Sequence, residues 1–210
     1  MKVIAINGSP NKKGNTYHAL SLICEQLNIE GIKSEIITIG QKRLQGCTAC
    51  NACIKNKDEK CILDDDVNTI IQQMKKADGI LLGSPVHYAD ISATMKAFVD
   101  RVFYVSGANK NLFRHKVGAA IVAVRRTGGM PAINTLYNYL QYSEMFLPTA
   151  NYWNVVHGTK PGDMLLDEEG VQIARILGKN MAWLLKAVNT YQQEEELPLM
   201  EQKNWTNFIR

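Results

Sequence analysis

Residues 2–16 read KVIAINGSPNKKGNT, and the fold is legible from this stretch outward. Val3, Ile4, Ala5 and Ile6 form a short apolar, partly β-branched run without polar alternation, the pattern of a strand covered on both faces. A loop of Asn7, Gly8, Ser9, Pro10 and Asn11 follows, and Gly14, Asn15 and Thr16 lead into a helical pattern. Small residues, amides and hydroxyls therefore meet where a helix N-terminus offers unpaired N–H groups, a place to hold phosphate. The loop lacks the Gly-Lys-Ser/Thr ending of a Walker loop, and Gly8 and Gly14 are wrongly spaced for GxGxxG. Ser9, Asn11, Asn15 and Thr16 supply short donors that suit a dianionic monophosphate without a metal.

Working outward, residues 16–29 place Ala19, Leu20, Ile23, Cys24 and Leu27 on one helical face, and Gly31 closes the helix. Cys24 on that stripe is expected to be a buried structural thiol. Further strands are predicted at 34–39, 79–83, 117–124 and 152–156. Helices are predicted at 66–76, behind the N-cap run Asp64-Asp65-Asp66, and at 92–105, 131–145 and 168–188. Strands and helices alternate five times, which predicts an α/β fold with a parallel sheet and helices on both faces. Residues 1–190 form one domain with a cysteine-rich insertion at 46–61. The tail 191–210 carries Leu197, Pro198, Leu199, Trp205, Phe208 and Ile209 and is expected to dock on the body or on a second subunit.

With 46% hydrophobic and 21% charged residues, the 210-residue chain has the balance of an ordinary soluble globular protein. Its formal charge of +4 comes from scattered Lys and Arg, a solvated surface and not a nucleic-acid patch. Met1 leads directly into the first strand, no apolar run reaches membrane length, and a cytoplasmic protein is expected. Five cysteines in that setting point to reduced thiols or a metal site instead of a disulfide framework.

In an open parallel sheet, ligands bind beyond the carboxyl ends of strands, where strand order reverses. Three loops leave such ends. The second, Ser84 to Tyr88, sets Pro85, Val86, His87 and Tyr88 where they can lie against a flat ring. His87 is a candidate acid or base, although a lone His more often packs or hydrogen-bonds. The third, Thr127-Gly128-Gly129, lets backbone N–H groups face the carbonyls of a heterocycle, or is a plain left-handed turn.

Gly-Ser-Pro-x-x-x-Gly-Asn-Thr after the first strand resembles the phosphate loop of the flavodoxin-like NAD(P)H-dependent FMN reductases. The run Gly83-Ser84-Pro85-Val86-His87-Tyr88, followed by Met95-Lys96-Ala97-Phe98-Val99-Asp100-Arg101, is similar to their second signature. The resemblance implies a flavodoxin-like, doubly wound five-stranded sheet, non-covalent FMN, and a homodimer or homotetramer. It also implies that Ser9, Asn11, Asn15 and Thr16 bind the FMN phosphate. Pro85, Val86, His87, Tyr88, Thr127, Gly128 and Gly129 would line the isoalloxazine. Lys96, Asp100 and Arg101 would hold the helix and subunit contacts.

Cys47, Cys50, Cys53 and Cys61 place four thiols within fifteen residues, two CxxC steps and a longer gap. The last gap and the missing proline depart from ferredoxin spacing. The arrangement resembles that of iron–sulfur flavoproteins, which implies these four as ligands of a [4Fe–4S] cluster. Zinc and redox-active or idle thiols remain open on the residues alone. Lys55, Lys57 and Lys60 are either partners for an anionic site or solvated charges.

The expected function is an FMN-dependent oxidoreductase passing electrons from NAD(P)H or a ferredoxin-like donor to a quinone, a nitro or azo compound, a metal chelate or the cluster. His87 and Tyr88 are the only catalytic candidates, and the cofactor chemistry obliges neither. The alternative is a non-enzymatic electron carrier or redox sensor built on the cysteine loop.

Overall fold

A computed structural model describes residues 1–206, so Phe208 and Ile209 of the tail lie outside the described residues. The chain runs β1 (Lys2–Asn7), α1 (Asn15–Ile29), β2 (Lys33–Thr38), α2 (Ala52–Asn56), α3 (Asp66–Lys76), β3 (Gly79–His87), β4 (Asp90–Ile91), α4 (Ala93–Ala108), β5 (Val117–Val124), α5 (Gly129–Tyr142), β6 (Val155–His157), a 3-10 turn (Asp163–Leu166) and α6 (Glu168–Tyr191). Five strands pair in parallel in the order β2-β1-β3-β5-β6, and the two-residue β4 pairs antiparallel with the end of β3. This is the flavodoxin-like order, with its reversal between β1 and β3.

The sheet is buried on both sides because its strands feed two cores alternately. Val3 and Ala5 of β1 join Leu81, Ala119 and Ile121 beneath α1 and α6. Ile4 and Ile6 join Ile80, Leu82, Ala120 and Val122 beneath α3, α4 and α5. Each buried Ile or Leu contributes roughly 1.5–3 kcal/mol by leaving water, which is why these strands read as unbroken apolar runs. Gly31 closes α1 at φ +78°, and Cys24 is buried on the α1 stripe, where desolvation pushes its thiol up. Asp65 caps α3 by accepting the Val67 N–H at 3.1 Å.

The architecture departs from the sequence expectation in three places. The last strand starts at Val155, not 152, because Tyr152 and Trp153 stack edge to face at 4.4 Å outside the sheet. Buried Asn154 sets the register there, its carbonyl accepting from Val122 N and its side chain donating to Ala120 O and the Tyr137 hydroxyl. β3 does not stop at Gly83 but continues through Pro85 to His87 and turns back into β4. Finally, α2 forms inside the cysteine insertion. The tail passes over Arg114, which donates to the carbonyls of Pro198 (2.7 Å) and Leu199 (3.4 Å), while the Leu199 and Trp205 side chains remain exposed. Among the described residues, no helix is long and apolar enough to cross a membrane.

Candidate functional site

The first loop is folded upon itself at the carboxyl end of β1. Ser9 N–H donates to Asn7 Oδ1, Asn11 N–H to Ser9 Oγ at 3.2 Å, and Gly14 N–H to Asn11 O. Ser9 Oγ accepts that bond, so its proton is free to donate outward. Gly40 lies flat against the loop: a Cβ there would stand 2.1 Å from both the carbonyl carbon and oxygen of Ser9. Gly14 is the N-cap of α1 and offers no side-chain cap, leaving the first amides of the helix open to a ligand. Beside them the Thr16 hydroxyl is buried and has no hydrogen-bond partner among the described residues. A buried hydroxyl without a partner costs about 1–3 kcal/mol, so its retention beside an uncapped helix start fits an absent anionic partner.

Asn15 is placed differently from the other phosphate candidates. Its Oδ1 accepts from Gly162 N (2.9 Å) and Met164 N (3.2 Å), tying α1 to the segment before α6 and leaving its backbone N–H in the first turn. Asn11 is exposed at the rim.

The second loop is a tight hairpin. Val86 pairs with Ile91 and His87 with Asp90, and both turn residues, Tyr88 (φ +50°) and Ala89 (φ +62°), are left-handed. This is the geometry of a type I′ turn, made without its usual Asn-Gly. Pro85 and Val86 are half-buried, His87 is exposed, and the Tyr88 side chain stands wholly in solvent. Ser92 joins the hairpin to the first loop: its hydroxyl donates to Gly8 O at 2.9 Å, and its N–H donates to Ser84 Oγ at 3.0 Å.

Gly128 (φ +88°) begins the third loop's turn into α5 and lies against the hairpin tip, where an added Cβ would come within 2.9 Å of Ala89 Cα. The three loops therefore meet at one edge. Beside Thr127 and Gly129 a cavity of about 260 Å³ opens toward β6, walled by Tyr152, Trp153, His157 and Asp167. The aromatic pair was hidden in the sequence by its strand-like composition.

The four cysteines of the insertion line one small pocket with Arg101 and Tyr104. Cys47 and Cys50 are exposed, Cys61 half-buried and Cys53 buried. The backbone turns left-handed at Ala49 (φ +53°) and Asn51 (φ +59°), on either side of Cys50. The Ala52 amide and then the Thr48 hydroxyl hold the Cys50 thiol below its ordinary range, while burial pushes Cys53 up. No three potential ligands among the described residues stand at metal-binding spacing. The donor set nonetheless fits a thiophilic centre, since four sulfurs and no carboxylate or imidazole face the pocket.

A family model described as NADPH-dependent FMN reductase matches residues 1–160. The chain belongs to that family. Its members are FMN-binding flavoprotein oxidoreductases, and the curated relatives of this chain place it on the iron–sulfur flavoprotein branch. An iron–sulfur flavoprotein of Methanocaldococcus jannaschii is 39% identical over 198 residues, covering 90% of this chain and 99% of that protein. One from Archaeoglobus fulgidus is 30% identical over 206 residues, covering 92% and 100%. A flavodoxin from the domain Archaea superposes with a TM-score of 0.58 at 16% identity, over 89% of this chain and 99% of that one, and attests the fold.

Within the family frame, the three loops named from the sequence are the three that the fold brings together. Arg101 was assigned from sequence to helix and subunit contacts. It is 1% exposed, holds Asp65 at the start of α3 with both terminal nitrogens, and also reaches Cys61 in the cysteine pocket. Lys57, by contrast, donates to Ala108 O at 2.6 Å and not to a thiol. The signal for Arg101 lay in a charged residue on the apolar face of α4, but nothing in its neighbours named Cys61, forty positions away.

Proposed function

We propose that this protein is an FMN-dependent oxidoreductase that takes electrons from NAD(P)H, or from a ferredoxin-like donor, and delivers them to a quinone, a nitro or azo compound, a metal chelate or a [4Fe–4S] centre on its own four cysteines. The observation that carries the reading is the Thr16 hydroxyl, without a partner among the described residues, beside the uncapped start of α1. Thr16 and Ser9 would donate to the FMN phosphate, joined by the first-turn amides of α1, including that of Asn15. Gly40 keeps the cradle closed from behind. Pro85, Val86 and the Tyr88–Ala89 tip would bear on one side of the ring system, and Thr127, Gly128 and Gly129 on another. FMN held there would supply hydride acceptance and one-electron release. His87 and Tyr88 point to solvent, so neither is placed as an obligatory acid or base; their part is to bound the ring and its visitor. Cys47, Cys50, Cys53 and Cys61 would hold the cluster, which supplies a one-electron store.

Anaerobic mixing tests the proposal. The flavin-loaded protein is expected to lose its visible flavin absorbance within seconds of meeting NADH or NADPH. Bleaching by reduced ferredoxin alone would replace the reductase reading with that of an electron carrier, and a protein that gains no flavin spectrum with added FMN would end both. The same reading includes a cytoplasmic homodimer or homotetramer, which sedimentation of the flavin-loaded protein measures.

A further inference from the structure

The guanidinium of Arg101 has five N–H donors, and the structure accounts for all five. NH1 donates to Asp65 Oδ2 (2.6 Å) and Gln45 O (3.3 Å), and NH2 to Asp65 Oδ1 (2.9 Å) and Leu63 O (3.4 Å). The fifth, Nε–H, reaches Cys61 Sγ at 3.4 Å. Four donors are spent on oxygen and one on a sulfur. A metal-bound sulfur is a better acceptor than a neutral thiol, so a fully buried N–H donor aimed at this sulfur suits a sulfur that ligates a metal.

The backbone of Cys61 is held just as firmly. Its N–H donates to Asn68 Oδ1 (2.8 Å), and its carbonyl accepts from Asn68 Nδ2 (3.0 Å). Asp65 is the N-cap of α3 and Asn68 lies in its first turn, so one helix start orients the arginine and the cysteine together. Cys61 is the member of the set outside the two CxxC steps, eight residues beyond Cys53, and local chain geometry cannot place it. The fold places its backbone through Asn68 and its sulfur through Arg101.

We infer that Arg101 is the positioning residue for Cys61 and the group that sets the potential of a cluster bound by Cys47, Cys50, Cys53 and Cys61. The inference rests on the cluster reading proposed above. A cation with an N–H bond to a ligating sulfur stabilises the more negative, reduced form over the oxidised one and so raises the midpoint potential.

The test compares the wild-type protein with Arg101→Gln and Arg101→Lys after anaerobic reconstitution with iron and sulfide, FMN content serving as the measure of folding. Arg101→Gln is expected to lower the midpoint potential by about 59 mV, a tenfold change in the one-electron equilibrium, and to lose iron faster to a chelator. Arg101→Lys, which keeps the charge but not the fork, is expected to fall between. Unchanged potential and iron retention in FMN-replete Arg101→Gln overturn the inference while leaving the cluster reading intact. A wild-type protein that retains no iron and sulfide overturns both. Should neither variant fold, isotope-labelled arginine in the wild type decides: electron–nuclear double resonance of the reduced centre must show coupling to an arginine nitrogen, and its absence overturns the assignment.

Discussion

Replacing Thr16 with valine should push the free and FMN-loaded proteins in opposite directions. The Thr16 Oγ1 atom is buried without a partner among the described residues, and Val substitutes a methyl of similar shape for it. In the flavin-free protein that removes a desolvated, unpaired hydroxyl, so stability should rise by about 1 kcal/mol, within the usual 1–3 kcal/mol cost of such a group. In the loaded protein the substitution removes a hydrogen bond to a charged phosphate, worth about 1.5–3 kcal/mol. At 1.4 kcal/mol per decade that weakens FMN binding roughly 10- to 150-fold. Urea unfolding of the deflavinated protein gives the first number, and quenching of FMN fluorescence on titration gives the second. A variant that is destabilised without FMN, yet binds FMN as tightly as wild type, would refute the reasoning, because it would mean the hydroxyl is satisfied inside the protein and does not face the ligand.

Gly40→Ala forces a Cβ to within 2.1 Å of Ser9 backbone, a clash no side-chain rotation relieves, so the first loop must shift. Losing two charge-assisted bonds to phosphate, about 3 kcal/mol or more, should weaken FMN binding more than a hundredfold in the same fluorescence titration. The double change Tyr88→Asn with Ala89→Gly supplies residues suited to the left-handed turn and should stabilise the protein by about 1–2 kcal/mol on urea unfolding, while weakening its grip on the flavin. Stability should also fall in two acid windows. Burial, aided by neighbouring Arg114 and opposed by Glu144, lowers the pKa of His115, so below about pH 6.5 the unfolded chain takes up a proton that the folded one refuses, and stability drops until the lowered value is reached. His115→Asn should flatten that slope, as read from urea midpoints between pH 5 and 7. For Asp65, burial opposes ionisation but the bonds from Arg101 and the Val67 N–H outweigh it, so its pKa is lowered. The stability it lends above the ordinary carboxylate value is lost as pH falls below about 4, and Asp65→Asn should remove that second step.

The parts of the fold that local chemistry controls were readable. Strand β1 announced itself because both its faces are covered, Asp65 because an N-cap is a local bond, and Gly31 because only a left-handed residue ends α1 at that point. The glycine turn at Gly128 was legible for the same reason. What stayed hidden depends on neighbours remote in sequence. Asn15 gives its side chain to Gly162 and Met164, about 150 positions on. The hairpin at Tyr88 and Ala89 carries no Asn-Gly to betray it, so its turn is imposed by strand pairing and by packing against Gly128. Tyr152 and Trp153 have the composition of a strand, yet their rings prefer each other to the sheet.

Helix α4 connects what the sequence presents as two separate features. Its N-cap, Ser92, is bonded to Gly8 of the first loop and to Ser84 beneath the hairpin. Nine residues later, about 14 Å along the axis at 1.5 Å per residue, Arg101 holds Cys61. Tyr104, one turn further, donates to Asn51 Oδ1 between Cys50 and Cys53 at 2.7 Å. The inner face of the helix is locked by Phe98, Val99 and Val102, and its outer face by Lys96, which pairs with Asp100 at 2.6 Å while Asp100 accepts from the Tyr139 hydroxyl of α5. Core packing on one face and the Tyr139 bond on the other tie the helix to its neighbours along this length. The first two loops and the cysteine pocket are therefore bonded to one helix, through Ser92 at its start and through Arg101 and Tyr104 further along.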